Sequence, residues 1–565
     1  MVLRHATGLW VSIVLLSIAG AQNSAPPQHV TRDWSSSHII FTGLTPETVG
    51  EAVYRDPRAW HSWLEHARYR FVPPPNEVHN KARFTERRRR AFKKAKIDWN
   101  MGLFTGASAV ASPAKFSFDV NATPDCTNDY VVFPTGNVTF PGSSAFATLL
   151  AFNNLYVGPG PSGICPTITS PATDPVVLFA YNTATVQSGK ADLSPVLSLD
   201  GKKIAFMESN DGFAENYAAF HVLTWKAGEG TSWNSAATPG DCSPGNSCMT
   251  TLVLNNAHSD SLSNPFVDYA HDTAYVGDDG GLLHNITPVF NGTPQEVIGN
   301  GWPVQLHAAF DLVESPVYDS VSGRIFVSDW HGHTFYVVDA ASGGIVNSVP
   351  FFLSSLTDPI VDSTNQTVFV MAVLYPVVYP TYYVALLQFD TSGTVLREID
   401  VGPVGSGGGY TGAFDQRYFA NPSSGAFYFA STVNYVASLY SVGFTGTTMN
   451  SSYQGPLILG NGSSTSVPTG LTEMFNPSFS NAPDRLFLGV QQSCVGANAC
   501  IESFDITNGF PSGILELTQL GGPGVGGIIV DNVSASPQAS SIYFEGSPPA
   551  GTFPSAIKLT QSGLQ

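Results

Sequence analysis

Short apolar runs separated by Gly, Pro, Asn and Asp follow one another from about residue 116 to the C-terminus. Their pattern is typical of β-strands joined by turns, and no helical period of convincing length interrupts it. One phrase recurs: a small residue or Pro, an apolar pair and an Asp, then a β-rich run that ends in Asp or Gly. Its clearest copies are residues 264–278 and 315–329.

These repeats predict an all-β fold. A unit of roughly 45 to 75 residues with several short strands cannot bury both faces of its sheet alone, so its copies must stack. Radial stacking gives a β-propeller. Eight blades are favoured, with seven as the alternative because the first unit is long and irregular. The predicted inner strands begin near Phe116, Pro195, Pro265, Pro316, Pro359, Ala413, Pro477 and Gly527.

The last repeat, residues 528–559, shows three strands where the others show four. Residues 98–103 have strand character and can supply the missing outer strand. Such a pairing of the two chain ends closes the ring and removes exposed sheet edges. The predicted propeller domain is therefore residues 98–565.

The first 97 residues differ from the rest. Residues 1–21 have the form of an export signal, with Arg4 and His5 before an apolar stretch and small residues at the end. That stretch is too short to span a bilayer, and no later segment is apolar enough to do so. Residues 22–97 form a partly helical, basic lead that includes four consecutive arginines at 87–90. The predicted location is secreted, periplasmic or extracellular.

Six cysteines fall into three pairs by their spacing, and an even count in an exported chain predicts disulfides. The spacing does not suit a zinc site. The predicted bonds are Cys126–Cys165, Cys242–Cys248 and Cys494–Cys500.

Charge is distributed unevenly. The first 100 residues hold 15 of the 25 Lys and Arg but only 8 of the 43 Asp and Glu, so the remaining chain carries a net charge of −25. A surface this acidic argues against binding to nucleic acid or to an anionic membrane.

Several stretches resemble known propeller repeats. Residues 327–343, with the closing turns at 388–393 and 503–509, resemble the repeat of quinoprotein-type (PQQ-like) propellers, and residues 194–206 resemble the strand-turn-strand unit of TolB-like propellers. The resemblance implies the propeller fold over about 430 residues and leaves the activity open. Quinoprotein dehydrogenases typically use two adjacent cysteines beside the quinone. No two cysteines are adjacent here, which argues against that cofactor.

Two consecutive copies carry polar residues in equivalent turns: Asp278 and Asp279 in one, and Asp329, His331 and His333 in the other. Paired carboxylates near histidines are able to bind a divalent cation or to act as acid and base. The alternative interpretation is structural, because Asp and Gly are also the residues that tight turns require.

Aromatic residues provide a second candidate site. Tyr375, Tyr379 and Tyr382 lie in a segment that two prolines keep out of regular strand, and Trp330 lies in the turn after Asp329. Tyrosines presented by a loop suit contact with sugars or proteins. The alternative is that they pack over the edge of a blade.

The predicted function is a ligand- or partner-binding module without catalysis, whose partner is a protein or a polysaccharide. No cofactor is predicted, apart from a divalent cation at the aspartate and histidine turns. The alternatives are an enzyme of the same fold (a hydrolase, a lyase or a quinone-dependent oxidoreductase working in the central funnel) and a scaffold of the cell envelope.

Overall fold

The computed structural model of the protein describes most of the chain from residue 96 onward. The predicted signal peptide, residues 1–21, and most of the lead, residues 22–97, lie outside the described residues and stay predictions. The described residues are 30–32, 40–41, 96–103, 111–117, 125–157, 165, 174–210, 217–255, 260–307, 312–330, 332–351, 355–374, 382–463, 465–475, 483–495, 498–522, 524–531, 541–547 and 554–560.

Eight consecutive groups of antiparallel strands, here called units 1 to 8, make up this part of the chain. The strands of units 1 and 2 are Ala114–Ser117, Tyr130–Pro134, Leu149–Asn153 and Val176–Tyr181, then Gly189–Lys190, Val196–Leu197, Lys203–Asn210, Ala219–Thr224 and Cys248–Val253. Those of units 3 and 4 are Phe266–Asp268, Thr273–Gly277, Leu282–Ile286 and Val304–Gln305, then Val317–Asp319, Arg324–Ser328, Thr334–Asp339 and Ile345–Pro350.

The second half of the ring repeats this arrangement. The strands of units 5 and 6 are Ser355–Leu356, Ile360–Asp362, Thr367–Leu374, Tyr383–Asp390 and Val395–Gly409, then Ala413–Phe414, Ala426–Val433, Val436–Thr445 and Thr448–Ile458. Those of units 7 and 8 are Thr472–Phe475, Asp484–Val490, Ala499–Asp505 and Glu516–Leu520, then Ile529–Asp531, Ser541–Gly546, Ser555–Thr560 and Lys96–Gly102.

Neighbouring sheets pack face to face, and the hydrophobic core lies between them. One buried cluster joins units 1 and 2 through residues such as Phe116 and Phe206, and comparable clusters join each later pair. The last cluster joins unit 8 to unit 1, where Trp99 packs against both Tyr543 and Phe152. Inner strands of neighbouring units also contact one another, as in units 3 and 4 and units 7 and 8. The chain is therefore an all-β propeller.

The number of blades depends on how units 5 and 6 are counted. They share one hydrogen-bonded sheet, because Val404 pairs with Val433 and Gly409 with Ser431. The other six units have sheets of their own. Eight blades therefore stays a prediction, as do the domain boundaries.

The two chain ends meet in unit 8. Lys96–Gly102 pairs antiparallel with Ser555–Thr560, which is the pairing predicted for residues 98–103. Two earlier strands join inner strands elsewhere in the ring: Val30–Arg32 pairs with unit 1, and Ile40–Phe41 pairs with unit 5.

A chain of hydrogen bonds, here called the axial ladder, links the inner strands of units 1 to 5. The backbone N–H of Ser112 donates to Ser194 Oγ (2.9 Å), that of Ser194 to Asn264 Oδ1 (2.7 Å), that of Asn264 to Ser315 Oγ (3.1 Å) and that of Ser315 to Asp358 Oδ1 (2.9 Å). A proline follows each of the five residues and holds it in an extended conformation. The repeated phrase thus encodes contact between neighbouring units.

Units 8 and 1 are joined at the same level by a backbone bond, from the Gly527 N–H to the Ala111 carbonyl (2.9 Å). A Cβ at Gly527 would lie 1.9 Å from Ser112 Oγ, so only glycine allows this approach.

The Asp that ends the phrase stabilises the turn after the inner strand. Asp268 accepts from the Ala270 N–H, Asp319 from those of Val321 and Ser322, and Asp362 from those of Thr364 and Asn365. These are Asx turns, in which the carboxylate binds amides two and three residues ahead.

Two local features differ from the sequence prediction. The inner strand of unit 7 is Thr472–Phe475 and ends before Pro477, where it was predicted to begin. In unit 6 the turn after the inner strand contains an α-helix, Gln416–Ala420, followed by the 3₁₀-helix Pro422–Ser424. The helix forms because Asp415 caps it by accepting from the Tyr418 N–H, an interaction that needs too few residues to produce a helical period.

The axial ladder predicts the effect of one substitution. Ser315→Ala removes the acceptor for the Asn264 N–H and leaves that partly buried donor unpaired, which should lower the free energy of unfolding by about 1–3 kcal/mol. The control Ser320→Ala, at an exposed turn position, should change it by less than about 0.5 kcal/mol. Urea denaturation followed by circular dichroism measures both, and equal effects would contradict a structural role for the ladder.

Candidate functional site

Two kinds of connection between strands lie at the same end of the ring. Because neighbouring strands are antiparallel, the turn between the second and third strands lies at the same end as the crossover into the next unit. We call this end the crossover face. It includes the turns that start at Asp278, Asp329 and Asn434, and the segments that lead into each inner strand.

Carboxylates from units 2 to 5 gather on this face near the axis. We call them the axial acidic cluster: Asp192, Asp260, Asp279, Glu314 and Asp358. Backbone bonds hold their segments together, since the Asp279 N–H donates to the Asp260 carbonyl (3.0 Å) and the Val313 N–H to the Asp278 carbonyl (3.2 Å). The ladder residues Ser194, Ser315 and Asp358 follow or belong to the cluster, so the ladder itself brings these acidic groups to the axis.

The cluster shifts the titration of two members. Burial raises the pKa of Asp260 to about 8, with Asp279 and Asp192 adding to the rise and the Ser261 and Asn210 amides opposing it. Burial also raises the pKa of Glu314 to about 8, together with repulsion from Asp358 and Asp279. Carboxylates that repel one another in a partly buried site attract protons or other cations.

Exposed aromatic rings lie on the same face in units 4 to 6. Trp330 is 49% exposed, and its backbone N–H donates to the carbonyl of Leu312, two residues before Glu314. Tyr382 is 43% exposed and Tyr435 is 60% exposed. These two tyrosines flank one segment of strand, because the Val404 N–H donates to the Tyr382 carbonyl and the Asn434 N–H to the Pro403 carbonyl.

Tyr435 was not identified from the sequence. It forms a two-residue hairpin turn with Asn434, and both have positive φ, 63° and 51°. Such turns favour Asn followed by Gly, and a bulky residue at φ > 0 costs on the order of 1–3 kcal/mol. The sequence does contain a signal for Tyr435. It is a tyrosine between two β-strand runs, at a turn position where folding favours Gly.

The predicted cation ligands have other roles where the structure describes them. Asp278 is buried and accepts from the Gly280 and Leu282 amides (2.9 and 2.8 Å), and its other oxygen lies 3.3 Å from His284 Nε2. Asp329 is buried as well and accepts from the Thr334 N–H (2.8 Å). Both carboxylates thus stabilise their own turns.

The remaining predicted site residues lie in different places. Asp279 belongs to the axial acidic cluster, and His333 is partly buried in its turn with a positive φ of 53°. His331, Tyr375 and Tyr379 lie outside the described residues. A cation site at these turns therefore stays a prediction.

His284 is the buried histidine beside these turns. Its Nδ1 lies 2.6 Å from Glu296 Oε1, and its Nε2 faces Asp278. Burial lowers its pKa, but the bonds to Asp278 and Glu296 outweigh burial and raise it above the ordinary value. The group is fully enclosed and links strands of unit 3, so it does not belong to the exposed site.

All three predicted disulfides are confirmed: Cys126–Cys165, Cys242–Cys248 and Cys494–Cys500. Across the described residues, one group of three side chains brings ligand-type atoms within 4.8 Å of one another, namely Cys494, Cys500 and Glu502. Both sulfurs of that group are in a disulfide. No helix in the described part of the chain is long and apolar enough to cross a membrane.

Comparisons with known proteins give similarity in fold only. No family model matches the chain, and no curated protein sequence matches it. Among solved structures, Sqt1 of Saccharomyces cerevisiae shares 10% identity with a TM-score of 0.46, covering 83% of this chain and 99% of that one. The C-terminal WD40 domain of Sif2 shares 8% identity with a TM-score of 0.44, covering 84% and 100%.

A third structure, the calcium-binding protein regucalcin from Agrobacterium tumefaciens, shares 11% identity with a TM-score of 0.31, covering 53% of this chain and 90% of that one. Likenesses this distant carry no argument about activity. The fold assignment stands on the sheets and their packing, and the resemblance to quinoprotein-type and TolB-like repeats stays a prediction.

The axial acidic cluster predicts how stability depends on pH. An unfolded Asp or Glu titrates near about 4, whereas Asp260 and Glu314 titrate at about 8 in the folded protein. The folded state therefore holds more protons between these values, and stability is lost as pH rises toward 8. Glu314→Gln should reduce the loss between pH 6 and 8 by up to about 2 kcal/mol.

Urea denaturation at both pH values measures this loss. Asp339→Asn is the matched control in unit 4, because a bond from Ser342 and the charge of Arg324 lower the pKa of Asp339. It should leave the difference between pH 6 and 8 as in the wild type. A Glu314→Gln protein with the full wild-type loss would contradict the raised pKa.

Proposed function

We propose that this protein is an exported β-propeller that binds a basic protein partner on its crossover face. One observation carries the proposal: carboxylates from four consecutive units converge on the same face as exposed aromatic rings of units 4 to 6. Carboxylates pair with Lys and Arg, and aromatic faces attract the same cations. The strongly acidic propeller sequence adds a field that draws basic partners to the surface.

Export is part of the proposal. The N-terminal sequence has the form of a signal peptide, and three disulfides suit an oxidising compartment outside the cytoplasm. A polysaccharide partner is the principal alternative, since tyrosine and tryptophan rings also stack on sugars. The acidic cluster favours the basic protein, because Lys and Arg compensate the charge of carboxylates that repel one another, whereas a neutral sugar does not.

Tyr435 allows a direct test. Tyr435→Gly removes the exposed ring and suits the positive φ, so it should stabilise the fold by about 1 kcal/mol while weakening binding of an oligolysine peptide at least about 10-fold. Asn434→Gly is the matched control, because it changes the same turn and keeps the ring. It should leave binding unchanged.

Calorimetric titration of the full-length protein measures the affinity, and thermal unfolding measures the stability. Binding of oligolysine should weaken with salt, because the contact is between opposite charges. Above about pH 8, where Glu314 is ionised, it should also weaken with Glu314→Gln. Unchanged affinity in Tyr435→Gly, or binding of cello-oligosaccharides in place of oligolysine, would overturn the proposal.

An acid-base enzyme is the second candidate function. Asp260 and Glu314 both have pKa values of about 8, as general acids at neutral pH do, and both lie near Asp279. A hydrolase of this kind should lose activity on a panel of glycoside and ester substrates when Glu314 is replaced by Gln, whereas Asp339→Asn should retain it. An inactive wild-type protein on that panel would favour the binding module.

A further inference from the structure

The disulfide in unit 7 differs from its closest counterpart in burial and in its neighbours. Cys494 and Cys500 are buried, whereas Cys242 is exposed and Cys248 is half-buried. Cys494–Cys500 and Cys242–Cys248 have the same sequence separation of six residues. Among the described residues, only the first has a carboxylate oxygen within 4.8 Å of both sulfurs, and Cys500 Sγ lies 3.9 Å from Glu502 Oε1.

Glu502 is fully buried between the sheets of units 6 and 7. Its Oε1 accepts from the Gly460 N–H at 3.0 Å, whereas its buried Oε2 has no hydrogen-bond partner among the described residues. Burial raises the pKa of Glu502 to about 7. At and below that pH the Glu502 carboxyl group holds a proton next to the disulfide. That proton has no acceptor among the described residues, which costs stability.

We propose that Cys494–Cys500 is an exchangeable disulfide and that Glu502 is its proton donor. An external thiolate attacks Cys494 Sγ and forms a mixed disulfide. The Cys494–Cys500 bond breaks, its electron pair goes to Cys500 Sγ, and Glu502 transfers its proton to that sulfur. The products are a mixed disulfide at Cys494, a Cys500 thiol and a Glu502 carboxylate, and the co-reactant is a thiol.

The two sulfurs have positions that suit these unequal roles. Cys500 is fully buried in the strand Ala499–Asp505, where Glu502 also lies. Cys494 is also buried, at 2% exposed, but it precedes that strand in a loop, and the next residue, Val495, is half exposed. Attack on Cys494 therefore requires a local opening next to Val495, while Cys500 stays beside the proton donor.

The experiment measures exchange with glutathione in the full-length oxidised protein, at pH values on both sides of 7. Alkylation followed by peptide mass spectrometry gives the rate at each disulfide, and division by the glutathione thiolate concentration removes the titration of the reagent. The normalised rate at Cys494–Cys500 should fall as pH rises through about 7 in the wild type. In Glu502→Gln it should be lower on the acid side by on the order of 10²-fold and should not depend on pH.

Cys242–Cys248 is the control within the same molecule, and its normalised rate should be the same in the wild type and in Glu502→Gln. Matching profiles of the two proteins at Cys494–Cys500 would overturn the proposal. An equal change at both disulfides would also overturn it, because it would show a global effect of the substitution. A flat wild-type profile across pH 7 overturns it without any variant.

Discussion

The axial ladder is the constraint on which the rest of this structure depends. Each ladder residue must offer a side-chain acceptor to the preceding unit and must precede a proline, which holds it extended and leaves no donor of its own at the next position. The small-polar-Pro phrase satisfies both conditions in units 2 to 5, and Ser112 of unit 1 supplies the first donor. Because the ladder fixes the start of every inner strand there, it also fixes where the crossovers approach the axis, and so places Glu314 beside Asp358.

Much of the fold follows from the sequence because its determinants are local. Inner strands, Asx turns and disulfide pairs each depend on residues a few positions apart, and the predicted closure follows from a missing strand at one end and a spare strand at the other. The candidate site does not follow in this way. Asp260, Glu314 and Asp358 are separated by some 40 to 55 residues and meet only through the ring geometry. The sequence does not distinguish Glu502 from other strand residues, because its buried neighbours are known only from the structure.

Carboxylates have two opposite roles in the repeat, depending on their position. At the end of an inner strand it accepts several amide bonds, as Asp319 does from Val321 and Ser322, and the charge is compensated. At the start of a strand on the crossover face it meets other carboxylates, and its charge is opposed, as at Glu314. Sequence position within the repeat therefore separates structural from functional acids, which residue type alone does not.

The seam between units 8 and 1 contains buried ions. Lys115 lies 3.0 Å from Asp531, and Lys558 lies 3.5 Å from Asp98, with all four side chains almost fully enclosed. Burial lowers the pKa of Lys558 to about 8 even with Asp98 and Asp531 nearby, so the pairing does not fully offset desolvation. Apolar side chains of the same volume would make a seam at least as stable. An incorrectly paired seam would instead leave a buried charge without its partner, at a large cost in stability. The ions therefore favour correct pairing at the seam that joins the two distant ends of the chain.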